Sequence, residues 1–289
     1  MTTGIVDYLC NAFTPDRLQV WDGALAASGV QVKVRRTPDD SFAEPEDMVD
    51  RMDELGIDTV LLPAVTIAPG EQPAPTEFEA VAATWPEVER LVDRWPGRFA
   101  ALTVLDPTTG MTGVRETAAR LRDPWVVGCY LHTHSWDRPL DHADYYPYYA
   151  LAAELDVPVA MQAGSAGGLT PSECGRPMGV DRPALYFPET RFVLSHTGWP
   201  WVDEAVALAR KFPNVFIGTG SYPPRRWPGA LVEFVRGDGR VKTLLGTNFP
   251  TVGHRQAVEQ LAELALGNAA TDAVAGGNAR RVFTRLGNA

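Results

Sequence analysis

Eight short apolar runs, each separated from the next by a segment of helical periodicity, constrain this 289-residue chain more than any other feature. They are residues 5–9, 59–62, 99–105, 126–131, 159–162, 192–195, 215–218 and 243–246. Continuous runs rich in Val, Leu and Phe are the pattern of strands covered on both faces, as in a parallel sheet. Between them, Met48, Val49, Met52 and Leu55 fall on one helix face, as do Tyr148, Tyr149, Ala152 and Leu155. Val202, Ala205, Val206 and Ala209 repeat the spacing, and so do Val258, Leu261, Ala262 and Ala265. That period turns one side of a helix inward. Strands alternating with helices in this way predict an α/β fold of the (β/α)8 TIM-barrel type, in which reacting groups come from the carboxyl ends of the strands. An open doubly wound sheet is the alternative, but no GxGxxG follows the first run. No Ser/Gly-rich linker divides the chain, so residues 1–289 are expected to form a single barrel domain. A small excursion is expected near residues 13–41, where Val30, Val32 and Val34 alternate, and residues 68–76, with three prolines and a glycine, read as a loop.

Charge narrows the partners. Lys+Arg 26 against Asp+Glu 36 leaves a net charge of −10, which gives nucleic acid and acidic membrane surfaces little to hold. Met1 to Cys10 has no basic opening, and no later run is long enough to span a bilayer, so a cytoplasmic protein without membrane association is expected. Cys10, Cys129 and Cys174 form an odd set with no CxxC pair, which argues against a disulfide framework and against a thiolate zinc site. Homo-oligomerisation is compatible with the sequence.

Three motifs follow the sixth and later runs: Ser195-His196-Thr197-Gly198-Trp199-Pro200, Leu245-Gly246-Thr247-Asn248-Phe249-Pro250 and Gly277-Asn278-Ala279-Arg280-Arg281-Val282-Phe283. Together with Met52-Asp53-Glu54-Leu55-Gly56-Ile57-Asp58 and Pro158-Val159-Ala160-Met161-Gln162, they resemble the amidohydrolase-related family, in its aminocarboxymuconate-semialdehyde decarboxylase-like branch. The resemblance covers nearly the whole chain. It implies a metal site built from a His-x-His on the first strand, a His ending the fifth, a variably used His on the sixth and an Asp on the eighth. The matching positions here are Leu9 and Asn11, Gln162, His196 and Asn248. Zinc takes three or four imidazole, thiolate or carboxylate ligands. Leu offers none, and amide oxygens are weak, uncharged donors. No metal at the usual position and no other cofactor is therefore expected. The sequence resembles a subset of the family in which Gln and Asn occupy these places.

Tyr130, His132 and His134 follow the fourth run at a spacing of two, so in an extended chain they point to one side, beside Gln162 and His196. An ordinary polar network that satisfies the two imidazoles is the alternative. The loop Gly164-Ser165-Ala166-Gly167-Gly168 offers backbone N–H groups to an anion or is an ordinary turn. Arg138, Arg176, Arg225 and Arg226 all fall in post-strand segments, where a guanidinium would clamp a carboxylate in a bidentate fork or, as the alternative, brace a loop or face solvent. Trp199, Trp201 and Trp227 in the same loops suit an aromatic or conjugated ligand, with packing over the barrel rim as the alternative. Cys10 alternates with Leu9 and Asn11 and is expected to face the helix layer, while Cys174 carries no sign of activation.

The expected activity is that of a metal-independent enzyme acting on a small carbonyl or carboxylate compound by lyase, hydrolase or cyclase chemistry. His196 is the expected acid/base, with Gln162 and Asn248 as polar stabilisers and His132 and His134 as further active-site imidazoles. Tyr130, Asn11, Trp199, Arg176, Arg225 and Arg226 are the expected substrate contacts. Two alternatives stay open: a ligand-binding or interaction protein that kept the barrel without the chemistry, and a metal-dependent hydrolase whose ion sits on His132, His134 and His196.

Overall fold

Every strand ladder among the described residues is parallel. The computed structural model of the chain describes residues 4–18, 42–65, 82–167 and 170–287. Its strands are β1 (Ile5–Asp7), β2 (Ile57–Val65), β3 (Ala83–Thr84), β4 (Phe99–Val104), β5 (Val126–Leu131), β6 (Val159–Gln162), β7 (Phe192–Ser195), β8 (Val215–Gly218) and β9 (Thr243–Leu244). They pair in the order β1-β2-β4-β5-β6-β7-β8-β9, with the two-residue β3 beside β2. The last strand returns to the first. Tyr8 N–H donates to the Leu245 carbonyl at 3.2 Å, Asn248 N–H donates to the Leu9 carbonyl at 2.7 Å, and Cys10 bridges Phe249 in parallel. Among the described residues a helix lies between β1 and β2 and between each pair of successive strands from β3 to β9, so the chain is a single TIM barrel.

The continuous apolar runs arise because each strand serves two cores. Val6, Tyr8, Leu61, Ala100, Leu102, Ala160 and Val193 fill the barrel interior. Their alternate neighbours Val60, Leu62, Phe99, Ala101, Val159, Met161, Phe192 and Leu194 pack into the helix layer with Met48, Val49 and Met52. The runs at 126–131, 159–162, 192–195 and 215–218 coincide with β5 to β8. β1 stops short of residue 9 because the Asp7 carboxylate captures the Leu9 N–H at 3.2 Å. β9 ends at Leu244 because Leu245 N–H turns to the Val274 carbonyl and Gly246 N–H to the Thr219 hydroxyl. One helix stripe is corrected: helix His254–Glu263 buries His254, Ala257 and Leu261, while Ala262 and Ala265 are exposed. The expected hairpin around Val30, Val32 and Val34 and the loop at 68–76 lie outside the described residues. Among the described residues no helix is long and apolar enough to cross a membrane.

The third family motif plugs one end of the barrel. Ala279, Val282 and Phe283 join the interior cluster, Phe283 stacks on Tyr8 at 6.3 Å, and Asn278 Nδ2 donates to the Thr243 carbonyl at 2.6 Å. Arg191 Nε donates to the Val282 carbonyl and Arg285 to the carbonyls of Leu121 and Val126, tying the plug to the starts of strands. The opposite end is left for chemistry. Phe283→Ala is expected to cost about 3–5 kcal/mol of unfolding free energy in a denaturant titration, since a buried ring leaves a cavity the barrel cannot close.

Candidate active site

The carboxyl ends of β1, β5, β6, β7, β8 and β9 bring Asn11, His132, Gln162, His196, Ser221 and Asn248 to the open mouth. Four non-glycine residues here adopt left-handed backbone: His196 (φ 59), Thr197 (φ 57), Ser221 (φ 66) and Asn248 (φ 49). Such conformations are costly for side-chain-bearing residues and concentrate at functional sites.

His132 and His134 lie side by side and His196 is near enough to act on them electrostatically. β5 ends at Leu131 and the chain turns into the short helix Thr133–Trp136, so the extended spacing assumed for His134 is corrected. That turn still buries His134 and sets its ring centroid 6.1 Å from that of His132. His132 Nδ1 meets the Ser135 hydroxyl at 2.6 Å, and its ring also reaches the Gln162 side chain. His134 Nε2 lies 3.1 Å from the Gly164 carbonyl and also approaches the Gln162 amide. Gly175 permits this, because a Cβ there would stand 2.6 Å from His134 Nε2. Burial holds all three histidines below the ordinary imidazole range, that of His196 down to about 3 with His134 as the second cause. For His132 the neighbouring imidazoles of His134 and His196 add to burial. With burial favouring the uncharged form, all three rings are neutral near pH 7.

At the positions where the resemblance implies metal ligands, two side chains bond to each other. Asn11 Nδ2 donates to the Phe249 carbonyl at 2.8 Å and to Asn248 Oδ1 at 3.1 Å. Asn248 Nδ2 then donates to the Ser221 hydroxyl at 2.7 Å and to Thr251 Oγ1 at 3.3 Å. With both its hydrogens engaged, Asn248 is not the free oxyanion donor that its position suggested. Leu9 lies in the apolar barrel interior. This donor set, two amides bonded together, the Gln162 amide, an aliphatic side chain and the single imidazole of His196, does not fit a divalent ion. Nor do His132, His134 and His196 form a converging ligand group among the described residues, which counts against the hydrolase alternative.

Asp7, Cys10 and His254 do converge, all fully or almost fully buried behind β1. Sequence reasoning missed Asp7 and His254, although an acidic residue inside an otherwise apolar first run was the available signal. The Asp7 carboxylate accepts Thr247 N–H at 2.9 Å, Thr247 Oγ at 2.6 Å and Leu9 N–H, with His254 Nε2 3.2 Å away. Those donors satisfy the carboxylate and pin the loop that carries Asn248. As expected, Cys10 packs in the helix layer, and burial lifts its thiol well above the usual range. Burial likewise holds the Cys174 thiol up at about 11.

Several loop expectations change. Arg176 is bound by Glu204 at 2.8 and 2.9 Å, Arg225 by Glu263 at 2.6 and 2.7 Å, and Arg138 by Asp144 at 3.0 Å. Arg176 and Arg225 are exposed and their forks are already filled, so they are not carboxylate clamps at the mouth; Arg226 is exposed beside them. The N–H groups of Gly164, Ser165 and Ala166 are spent on Gly175 O, Trp199 O and Ser172 Oγ, which corrects the anion-cradle reading. Gly164 (φ 93) has no alternative, since a Cβ would stand 2.3 Å from the Trp199 carbonyl. Tyr130 is buried inside the barrel next to Tyr8, and burial raises its phenol. Trp199 is half-exposed at the rim, 6.2 Å from Tyr222, while Trp227 is buried with Nε1 on the Tyr222 carbonyl.

A parallel barrel plugged at one end, with polar side chains from six strand ends gathered at the other, defines an enzyme of the TIM-barrel class. The amidohydrolase family model Amidohydro_2 matches residues 89–285, and the chain belongs to that family. A 2-keto-4-carboxy-3-hexenedioate hydratase of Sphingobium sp. is 26% identical, over 72% of this chain and 74% of the hydratase. A TIM-barrel protein of Bordetella bronchiseptica shares the fold at TM-score 0.78 and 20% identity, covering 98% of this chain and 99% of its own. A 2,6-dihydroxybenzoate decarboxylase from Rhizobium superposes at TM-score 0.65 and 17% identity, covering 98% and 99%.

Proposed function

We propose that residues 1–289 form one amidohydrolase-like barrel that works without a metal ion on a small carbonyl or carboxylate compound, as a lyase that adds water or releases carbon dioxide. The observation that carries this reading is the Asn11 to Asn248 hydrogen bond of 3.1 Å, which fills the family's metal positions with neutral amides held by each other. The 26% identity to a hydratase supports the lyase class.

His196 is the proton acceptor. It is buried, neutral and beside His134, and its Nδ1 has no hydrogen-bond partner among the described residues. An anionic ligand entering the mouth favours the imidazolium and draws its pKa back up, so proton uptake is coupled to binding. The Gln162 amide, in reach of His132 and His134, holds these rings as neutral partners for the oxygen on which charge develops. Each well-placed donor contributes about 3–4 kcal/mol to such a transition state. Trp199 with Tyr222 flanks a conjugated ligand at the rim.

Elemental analysis of purified protein is expected to find no stoichiometric transition metal. Hydration of 2-keto-4-carboxy-3-hexenedioate or carbon dioxide release from 2,6-dihydroxybenzoate is expected to persist in chelator. Near one equivalent of zinc or manganese, removable with loss of turnover, overturns the reading. Restoring ligands by Leu9→His, Asn11→His, Gln162→His and Asn248→Asp together is expected to create metal affinity, measurable by titration calorimetry.

A further inference from the structure

The orientation of the two amides at the mouth is decided by their partners, and following it outward reaches Ser221. The Phe249 carbonyl can only accept, so the Asn11 group 2.8 Å from it is the N–H2 end. The same nitrogen faces Asn248, which must turn its oxygen inward at 3.1 Å and its nitrogen toward the Ser221 hydroxyl at 2.7 Å. Flipping either amide sets oxygen against oxygen or nitrogen against nitrogen. Ser221 Oγ is therefore an acceptor in this chain, and its own proton is not given to any other described residue. Ser221 follows β8 in left-handed backbone, with Gly220 against Leu9, Asn248 and Tyr8 at the top of the barrel interior.

We infer that the Ser221 hydroxyl is a catalytic hydrogen-bond donor to the carbonyl or carboxylate oxygen of the ligand, with Asn248 as its positioning residue. The inference rests on the lyase reading above and adds a residue and a role to it. The Asn11–Asn248 chain makes the hydroxyl an acceptor toward Asn248 and keeps its proton available to a ligand, and a donor turned away from Asn248 needs little reorganisation as charge develops.

Two variants separate the hydroxyl from the fold. Ser221→Gly removes the donor at a backbone angle that glycine adopts freely, so folding is preserved. Asn248→Asp keeps an oxygen for Asn11 but replaces the N–H with a second acceptor, so Ser221 must turn its proton to the carboxylate and away from the ligand. Each is expected to lower kcat/KM about 10²-fold, chiefly in kcat, on whichever of 2-keto-4-carboxy-3-hexenedioate and 2,6-dihydroxybenzoate the wild type converts. The double variant is expected to fall no further than either single one, which a merely structural Asn248 does not produce. Wild-type turnover retained within twofold by Ser221→Gly, or additive losses, overturns the inference and leaves the lyase reading standing. Wild-type protein that neither binds nor converts either compound overturns both for this ligand class.

Discussion

The folded protein is expected to lose roughly 1–2 kcal/mol of stability for each pH unit between about 6.5 and the region of pH 3 on account of His196 alone. Burial, and then His134, hold this imidazole down at about 3 from the ordinary 6.5. Between those values the unfolded chain binds a proton that the native state refuses, so unfolding gains as the pH drops. Above 6.5 both states are neutral, the full stability is retained and the pH dependence from this residue vanishes. His132 and His134, depressed by burial as well, steepen the same limb. Denaturant unfolding of wild type and His196→Gln at a series of pH values from 7 to 4.5 checks this, because acid effects of surface carboxylates cancel in the comparison. The variant is expected to show the shallower loss. Identical slopes would mean that His196 is not held neutral in the fold.

His196→Gln is also expected to reduce turnover by about 10² to 10⁴-fold while ligand affinity and folding change little, since a glutamine keeps the polarity and removes the proton acceptor. The measurement is kcat and KM with chelator present, on whichever of the two test compounds the wild type converts, beside a thermal melt at pH 7. Loss of turnover that tracks the folded fraction would make the residue structural. A folded variant with undiminished turnover would pass the proton to His132 or His134, whose rings lie 6.1 Å apart beside Gln162.

The strands were legible because burial on both faces writes a continuous apolar run into local sequence, and the inner and outer residues of β4, β6 and β7 separate with the period of two that a strand requires. The direction of Cys10 was legible for the same reason. The extended spacing expected to bring His134 beside His132 failed, and a helical turn with the space over Gly175 sets the two rings near each other instead.

Polar partnership is another matter. Nothing local announces that Glu204 and Glu263 occupy the forks of Arg176 and Arg225, residues 28 and 38 positions away. The donors of Asn248 are likewise taken by Ser221, 27 residues back, and Asn11 reaches Asn248 across 237 positions of chain. The sequence by itself determined a parallel barrel and its two cores, because hydrophobic period and residue identity are properties of short segments. Only the tertiary structure decided which imidazoles are neutral, which amide hydrogens are already spent, and that Ser221 holds an ungiven proton at the mouth. Hydrogen-bond direction and desolvation depend on neighbours that barrel closure alone brings within 3 Å or so of one another.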